Sequence, residues 1–212
     1  MNQEMIYLIA LWLAYFLIHS VLAGLKTKQR IQAAVPSLLS YYRIVYNLLA
    51  VLLLIPPLYY VYYVPSSILW NWTGWEKYAA NGLAILTFIG FLWTLKYYDG
   101  MDFLGFKGLK KDQTNISEKF SLSPLHAYVR HPWYSLALIM IWTRDMNQHM
   151  FISAVLITAY LFVGSFFEDQ KLIKLYGEKY RRYRQAVPGI IPSFRRNLNK
   201  AQLKTFSENK PD

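Results

Sequence analysis

The sequence predicts an all-α polytopic membrane protein of about five transmembrane helices, with a short helical hairpin formed by helices four and five and cytoplasmic amphipathic helices after it. Three observations carry this reading. The 212 residues are 55% apolar and only 17% charged, and the apolar residues fall in long blocks rather than at a period of 2.0 or 3.6. Charge-free blocks cover residues 5–25, 44–64, 78–95, 132–143 and 150–167. Three or four of these reach the roughly 17–25 residues that a spanning helix needs, and the block from Pro132 is short even for that.

The third observation is where Lys and Arg sit. Residues 26–43, 96–130 and 168–212 hold 21 of the 23 basic residues, leaving Lys77 and Arg144 for the other connectors. Five helices would put those three segments on one side, the cytoplasm, with the N-terminus outside, in what is read as a bacterial inner membrane. The net charge of +11 then belongs to a membrane surface rather than to nucleic acid, because the basic residues flank the spans and form no separate soluble domain. Met1-Asn2-Gln3-Glu4 lacks a basic leader, so the first block reads as a retained helix rather than a cleaved signal peptide. Cysteine is absent, which excludes disulfides, thiolate metal sites and cysteine catalysis.

In chain order, the organisation expected is a three-helix membrane region over 1–99, a core over 100–192 and a basic polar tail over 193–212. The first helix ends at His19-Ser20, where His19 reads as a satisfied histidine near the interface. The second begins at the interface anchor Tyr41-Tyr42-Arg43 and contains Pro56-Pro57, expected to kink or end it because each proline removes a backbone donor. Trp70, Trp72 and Trp75 read as an aromatic belt on the outer side. In the connector over 100–123, the run Met101-Asp102-Phe103-Leu104-Gly105-Phe106 is too apolar for a plain linker and is expected to dip into the membrane face beside the site. The tail beyond Ser193 reads as loosely ordered and near anionic lipid.

The polar residues of interest flank the last hairpin. Arg130-His131-Pro132-Trp133-Tyr134 opens it, and Glu168-Asp169 closes it. Pro132 suits a first helical position, so Arg130 and His131 sit at a helix start, whose N–H groups and dipole favour a carboxylate or phosphate. The plainer alternative is that Arg130 reaches the headgroups and His131 merely caps the helix. The hairpin should return Glu168 and Asp169 to the same membrane face, at a helix end where the dipole disfavours anions. Gly177 can end that helix in a left-handed cap, and residues 178–186 then form an amphipathic helix with Tyr180, Tyr183 and Val187 on one face, placed to wall the site. There is no glycine-rich phosphate loop, no paired-histidine motif and no metal-ligand spacing.

At these residues the chain resembles the membrane methyltransferases that include isoprenylcysteine carboxyl methyltransferases and bacterial phospholipid methyltransferases. The pattern is Arg130-His131-Pro132-x-Tyr134, then Glu168 with Asp169 where a second glutamate is usual, then Leu172, Gly177, Tyr180, Tyr183, Val187 and Pro192. It covers about the last 90 residues. His19-Ser20, Tyr42-Arg43 and Asp102-Phe103-Leu104-Gly105 are closer to the bacterial methanethiol S-methyltransferase-like and NnrU-like members.

The resemblance implies S-adenosylmethionine in a cytoplasm-facing pocket and a small-molecule or lipid acceptor, in contact with membrane lipids. It carries His131, Pro132, Trp133, Tyr134, Glu168, His126, Arg130 and Tyr180 over as cofactor-binding residues, with the 118–121 stretch as weaker contacts and no metal. Leu136 stands where the family usually has a small glycine. Gly164 stands where prenylcysteine members have a carboxylate-holding arginine, which argues against that substrate. Two other readings stay open: an NADPH-dependent membrane reductase of the sterol reductase type, and a non-catalytic accessory protein of the same fold. The catalytic base and the oligomeric state are not fixed by the sequence.

Overall fold

The computed structural model describes residues 3–109, 121–193, 195 and 197–207. The protein is all-helical, with one two-stranded ribbon among the described residues. Its helices are α1 (Gln3–Ala23), α2 (Leu25–Ala34), α3 (Tyr42–Tyr63), α4 (Gly74–Thr94), α5 (Gly100–Leu104), α6 (Pro132–Trp142), α7 (Gln148–Ala186) and α8 (Lys200–Ser207). Four of them, α1, α3, α4 and α7, are long and apolar enough to cross a membrane. Their large apolar side chains are turned outward, as at Leu17 (66% exposed) and Phe167 (65%). Outside lipid such exposure would be an aggregation hazard, and in hydrocarbon it is the stable arrangement.

Five spans were expected, and the fourth block is shorter than a span. α6 has 11 residues, a rise of about 16 Å against a hydrocarbon core of about 30 Å. The apolar run stops at Thr143, and Arg144 and Asp145 turn the chain toward the ribbon that precedes α7.

The chain forms two compact units. The first comprises Met1–Trp70, Asp99–Ser117 and Met146–Leu156. In it α1 packs on α3, with the Tyr42 hydroxyl donating to the Leu22 carbonyl and the Tyr46 hydroxyl 2.8 Å from His19 Nε2. His19 also stacks on Tyr15, which makes it the satisfied histidine expected. Strands β1 (Ile68–Trp70) and β2 (Met146–Asn147) pair antiparallel, and the Trp12 indole donates to Ser153 at 2.7 Å.

α3 continues through Pro56 and Pro57, so it does not stop there. Proline's fixed φ is compatible with a helix, so only two donors are lost, and a bilayer tolerates no open backbone in their place. The 101–106 run forms α5 and a tight turn against the start of α3, with Asn47 donating to the Phe103 carbonyl at 3.1 Å. Gly105, at φ +93°, lets this segment close: a Cβ there would lie 2.8 Å from the Arg43 Cβ and 2.9 Å from the Ile44 nitrogen.

The second unit comprises Asn71–Tyr98, Glu118–Asp145 and Ile157–Asp212 and carries all the candidate site residues. α6 lies antiparallel to α4: the Trp133 indole donates to Thr94 at 2.8 Å, Leu136 faces Gly90, and Arg144 reaches the Ala80 carbonyl. The space a small residue would leave at 136 is filled here by Leu136 against a glycine of the neighbouring helix. α6 is also antiparallel to α7, with Trp142 donating to Thr158 at 3.0 Å and His131 meeting Asp169.

At Gly177 (φ 57°, ψ −134°) α7 turns sharply. The φ is positive as expected, but the ψ lies outside the left-handed helical region, in backbone space open chiefly to glycine. Beyond it Tyr180, Tyr183 and Val187 are each 1% exposed and form a core with Ala127, Leu198 and Leu203. Burying side chains of this size stabilises by about 1.5–3 kcal/mol each. The tail was expected to be loosely ordered, yet α8 is a helix. Leu203 and Phe206 give it an apolar face, Phe206 packing its ring against Tyr183, and Leu198 just before it joins the same core.

Candidate active site

The site is built where α6 begins and the apolar part of α7 ends. Pro132 at the first helical position sets the start of α6 and leaves His131 as the residue before it. The strap after Val187 laces onto this start: Arg130 N–H donates to Pro188 O at 2.8 Å and His131 N–H to Gly189 O at 3.1 Å. Ser135, one turn in, donates to the Ile190 carbonyl. Three main-chain and side-chain ties therefore hold the Arg130-His131 backbone before any charge is considered.

Asp169 is the centre of the charged cluster. It is 3% exposed and accepts from Arg130 Nη2 at 2.6 Å, Arg130 Nε at 3.3 Å, His131 Nε2 at 3.0 Å and the Tyr180 hydroxyl. Arg184 Nε lies 3.5 Å away. Arg130 uses its remaining amino group on the carbonyls of Arg184 and Val187, closing the C-terminal end of α7. A buried carboxylate tolerates such a position only with this many charge-assisted partners. Arg130 is thus a buried ion-pair partner rather than a headgroup anchor.

His131 does not cap α6 with its side chain. Its two ring nitrogens face two carboxylates, Nε2 toward Asp169 at 3.0 Å and Nδ1 toward Glu168 at 3.3 Å. Donating to both requires an imidazolium. Burial alone would depress its pKa, but the hydrogen bonds and charges of Asp169 and Glu168 outweigh that and leave it raised.

Glu168 differs from its neighbour in being open, with its side chain 43% exposed against 4% for Asp169. It is bounded by His131 and by the Tyr134 hydroxyl, which hydrogen-bonds to it. Tyr134 stacks on the His131 ring at 5.4 Å. Tyr98 completes the surround: its ring packs on Trp133 at 4.8 Å, and burial, then the Glu168 charge, push its hydroxyl up to about 12.

The remaining expected residues separate by environment. His126 is buried and bonds Ser123 through Nδ1 at 2.9 Å, and burial depresses its pKa to about 4. Tyr180 lies on Asp169 rather than Glu168. Ser121 is described, and 118–120 lie outside the described residues. Asp169 was placed at the site from the sequence but given no cofactor contact, whereas Arg184 and Tyr98 are cluster members that were not singled out there. Arg184 is a basic residue of the amphipathic helix, on the turn after Tyr180, and that spacing was its only signal. No group of three or more potential metal ligands occurs among the described residues.

Fold and cluster together define a helical membrane protein with a histidine held between two carboxylates of unequal exposure at the mouth of a short apolar helix. The chain is similar to methanethiol S-methyltransferases. It is 35% identical over 83 residues to the one from Pseudomonas deceptionensis, covering 39% of this chain and 32% of that protein. It is 37% identical over 76 residues to methanethiol S-methyltransferase 1 of Bradyrhizobium diazoefficiens (35% and 26% covered), and 36% identical over 75 residues to that of Crocosphaera subtropica (35% and 29% covered). The matches thus span about a third or less of the length of these curated relatives. No family model and no solved structure matches the chain.

Proposed function

We propose that the protein is an integral membrane S-adenosylmethionine-dependent methyltransferase whose cofactor site opens at Glu168 toward the cytoplasm, with a small thiol as acceptor. The thiol follows the names of the similar proteins, and a lipophilic acceptor of other chemistry is the broader class. The observation that carries the proposal is the inequality of the two adjacent carboxylates, Asp169 sealed and Glu168 half-exposed.

The donor set fits the cofactor. Its amino-acid end needs one anionic and one cationic partner, and its ribose needs an acceptor. Glu168 would take the ammonium or the ribose hydroxyls, and His131 with the start of α6 would hold the carboxylate. Tyr134 and Trp133 form the adjoining wall, and Pro132 starts the helix that carries them. Arg130, Asp169 and Tyr180 act by positioning: Arg130 and Tyr180 both bond the buried Asp169, which in turn holds His131. When bound, the cofactor supplies an already activated methyl group. The residues here then have to orient it and exclude water, a proximity effect worth several kcal/mol. Calorimetry on purified protein tests this: saturable S-adenosylmethionine or S-adenosylhomocysteine binding is expected, and its absence contradicts the proposal.

A further inference from the structure

The first turns of α6 have two working faces. His131 and Tyr134 look toward Glu168. Pro132, Ser135, Leu136 and Ile139, at helical spacings of three and four, instead wall a cavity of about 330 Å³. Leu125 and Pro192 help complete it. One of its lining residues, Leu136, also packs on Gly90 in the last turns of the span α4.

The cavity is built for an apolar guest. Its serine hydroxyls are already engaged, Ser135 Oγ donating to the Ile190 carbonyl and Ser193 Oγ accepting from the Arg195 N–H. An apolar cavity of about 150 Å³ stays dry and takes up benzene, and this one is roughly twice that size. It also reaches the volume of ordinary small-molecule pockets. The apolar molecules at hand along α4 in a bilayer are the lipid chains that its exposed side chains, such as Leu86 and Ile89, would meet.

We propose that this cavity seats an acyl segment of a bilayer lipid, at a site separate from the Glu168 face. A segment entering from hydrocarbon gains nothing from leaving water; it gains the van der Waals contacts that an unfilled apolar cavity lacks. The bound segment backs the helical turn whose other side carries His131 and Tyr134.

The test uses the full chain in nanodiscs of phosphatidylcholine containing a fraction with a diazirine in the acyl chain. After irradiation, peptide mapping is expected to find adducts within residues 125–139. These fall at least tenfold in Ile139→Trp, which fills the cavity, while labelling around exposed Leu17 on α1 stays unchanged. If Ile139→Trp does not fold, Leu125→Phe gives the same readout. Equal labelling of 125–139 in wild type and variant would mean contact with surrounding lipid only and overturns the proposal. So does labelling at Leu17 with none at 125–139. Loss of the adducts on saturation with S-adenosylhomocysteine overturns the separateness of the site.

Discussion

His131 and Asp169, 38 residues apart, meet with Nε2 3.0 Å from Oδ1, both side chains about 5% exposed or less. This contact joins the start of α6 to the end of the apolar part of α7. The same carboxylate also holds Arg130 and Tyr180, so one buried anion fixes three elements at once.

Asp169→Asn leaves Arg130 a buried cation without its counter-charge and His131 with Glu168 alone. Removing one member of a buried pair costs about 3–5 kcal/mol. A marked loss of thermal stability in detergent is expected. Arg130→Gln should lose a similar amount, and the double variant less than the sum of the two, because the groups share one interaction. Additive losses would mean that the two residues act independently.

The two buried histidines give stability opposite pH dependences on either side of 6.5. His131 has a raised pKa when folded, so its contribution is complete below its ordinary value of 6.5 and is lost as pH rises through the raised value. His126 is depressed to about 4, so the unfolded chain takes up a proton first. Its effect is to destabilise as pH falls from 6.5 toward 4, by on the order of 3 kcal/mol in full. Melting temperatures across this range should peak near 6.5. His131→Gln should flatten the alkaline side and leave the acid side in place.

Gly177→Ala tests the hinge. A Cβ there meets nothing within 4 Å, so any loss comes from the backbone at φ 57° and not from crowding. A strained conformation of this kind costs about 1–3 kcal/mol. Faster amide exchange over 178–187 than in wild type is expected, with exchange in α1 unchanged.

Much of this was legible because the informative residues are costly where they stand. Ionisable groups beside long apolar blocks mark a site, and the return of the hairpin brings Glu168 and Asp169 to Arg130 and His131 as the sequence implied. Their division of labour was not legible: adjacent acids on a helix point about 100° apart, and only the packing of Tyr180 decides which is sealed. The continuity of α3 through Pro56 and the helix at 200–207 escaped for a related reason. Local propensity argued one way, and membrane burial or the contacts of Leu198, Leu203 and Phe206 argued the other.

The central claim is that Glu168 faces a cofactor while Asp169 holds the site together. Calorimetric titration of Glu168→Gln with S-adenosylmethionine tests it most directly. Hydrogen bonds to a charged group are worth roughly 1.5–3 kcal/mol, so affinity should fall by on the order of 10- to 100-fold. The melting temperature should stay close to wild type, since this side chain is 43% exposed. Equal affinity in Glu168→Gln and wild type, at equal thermal stability, would contradict the placement of the site.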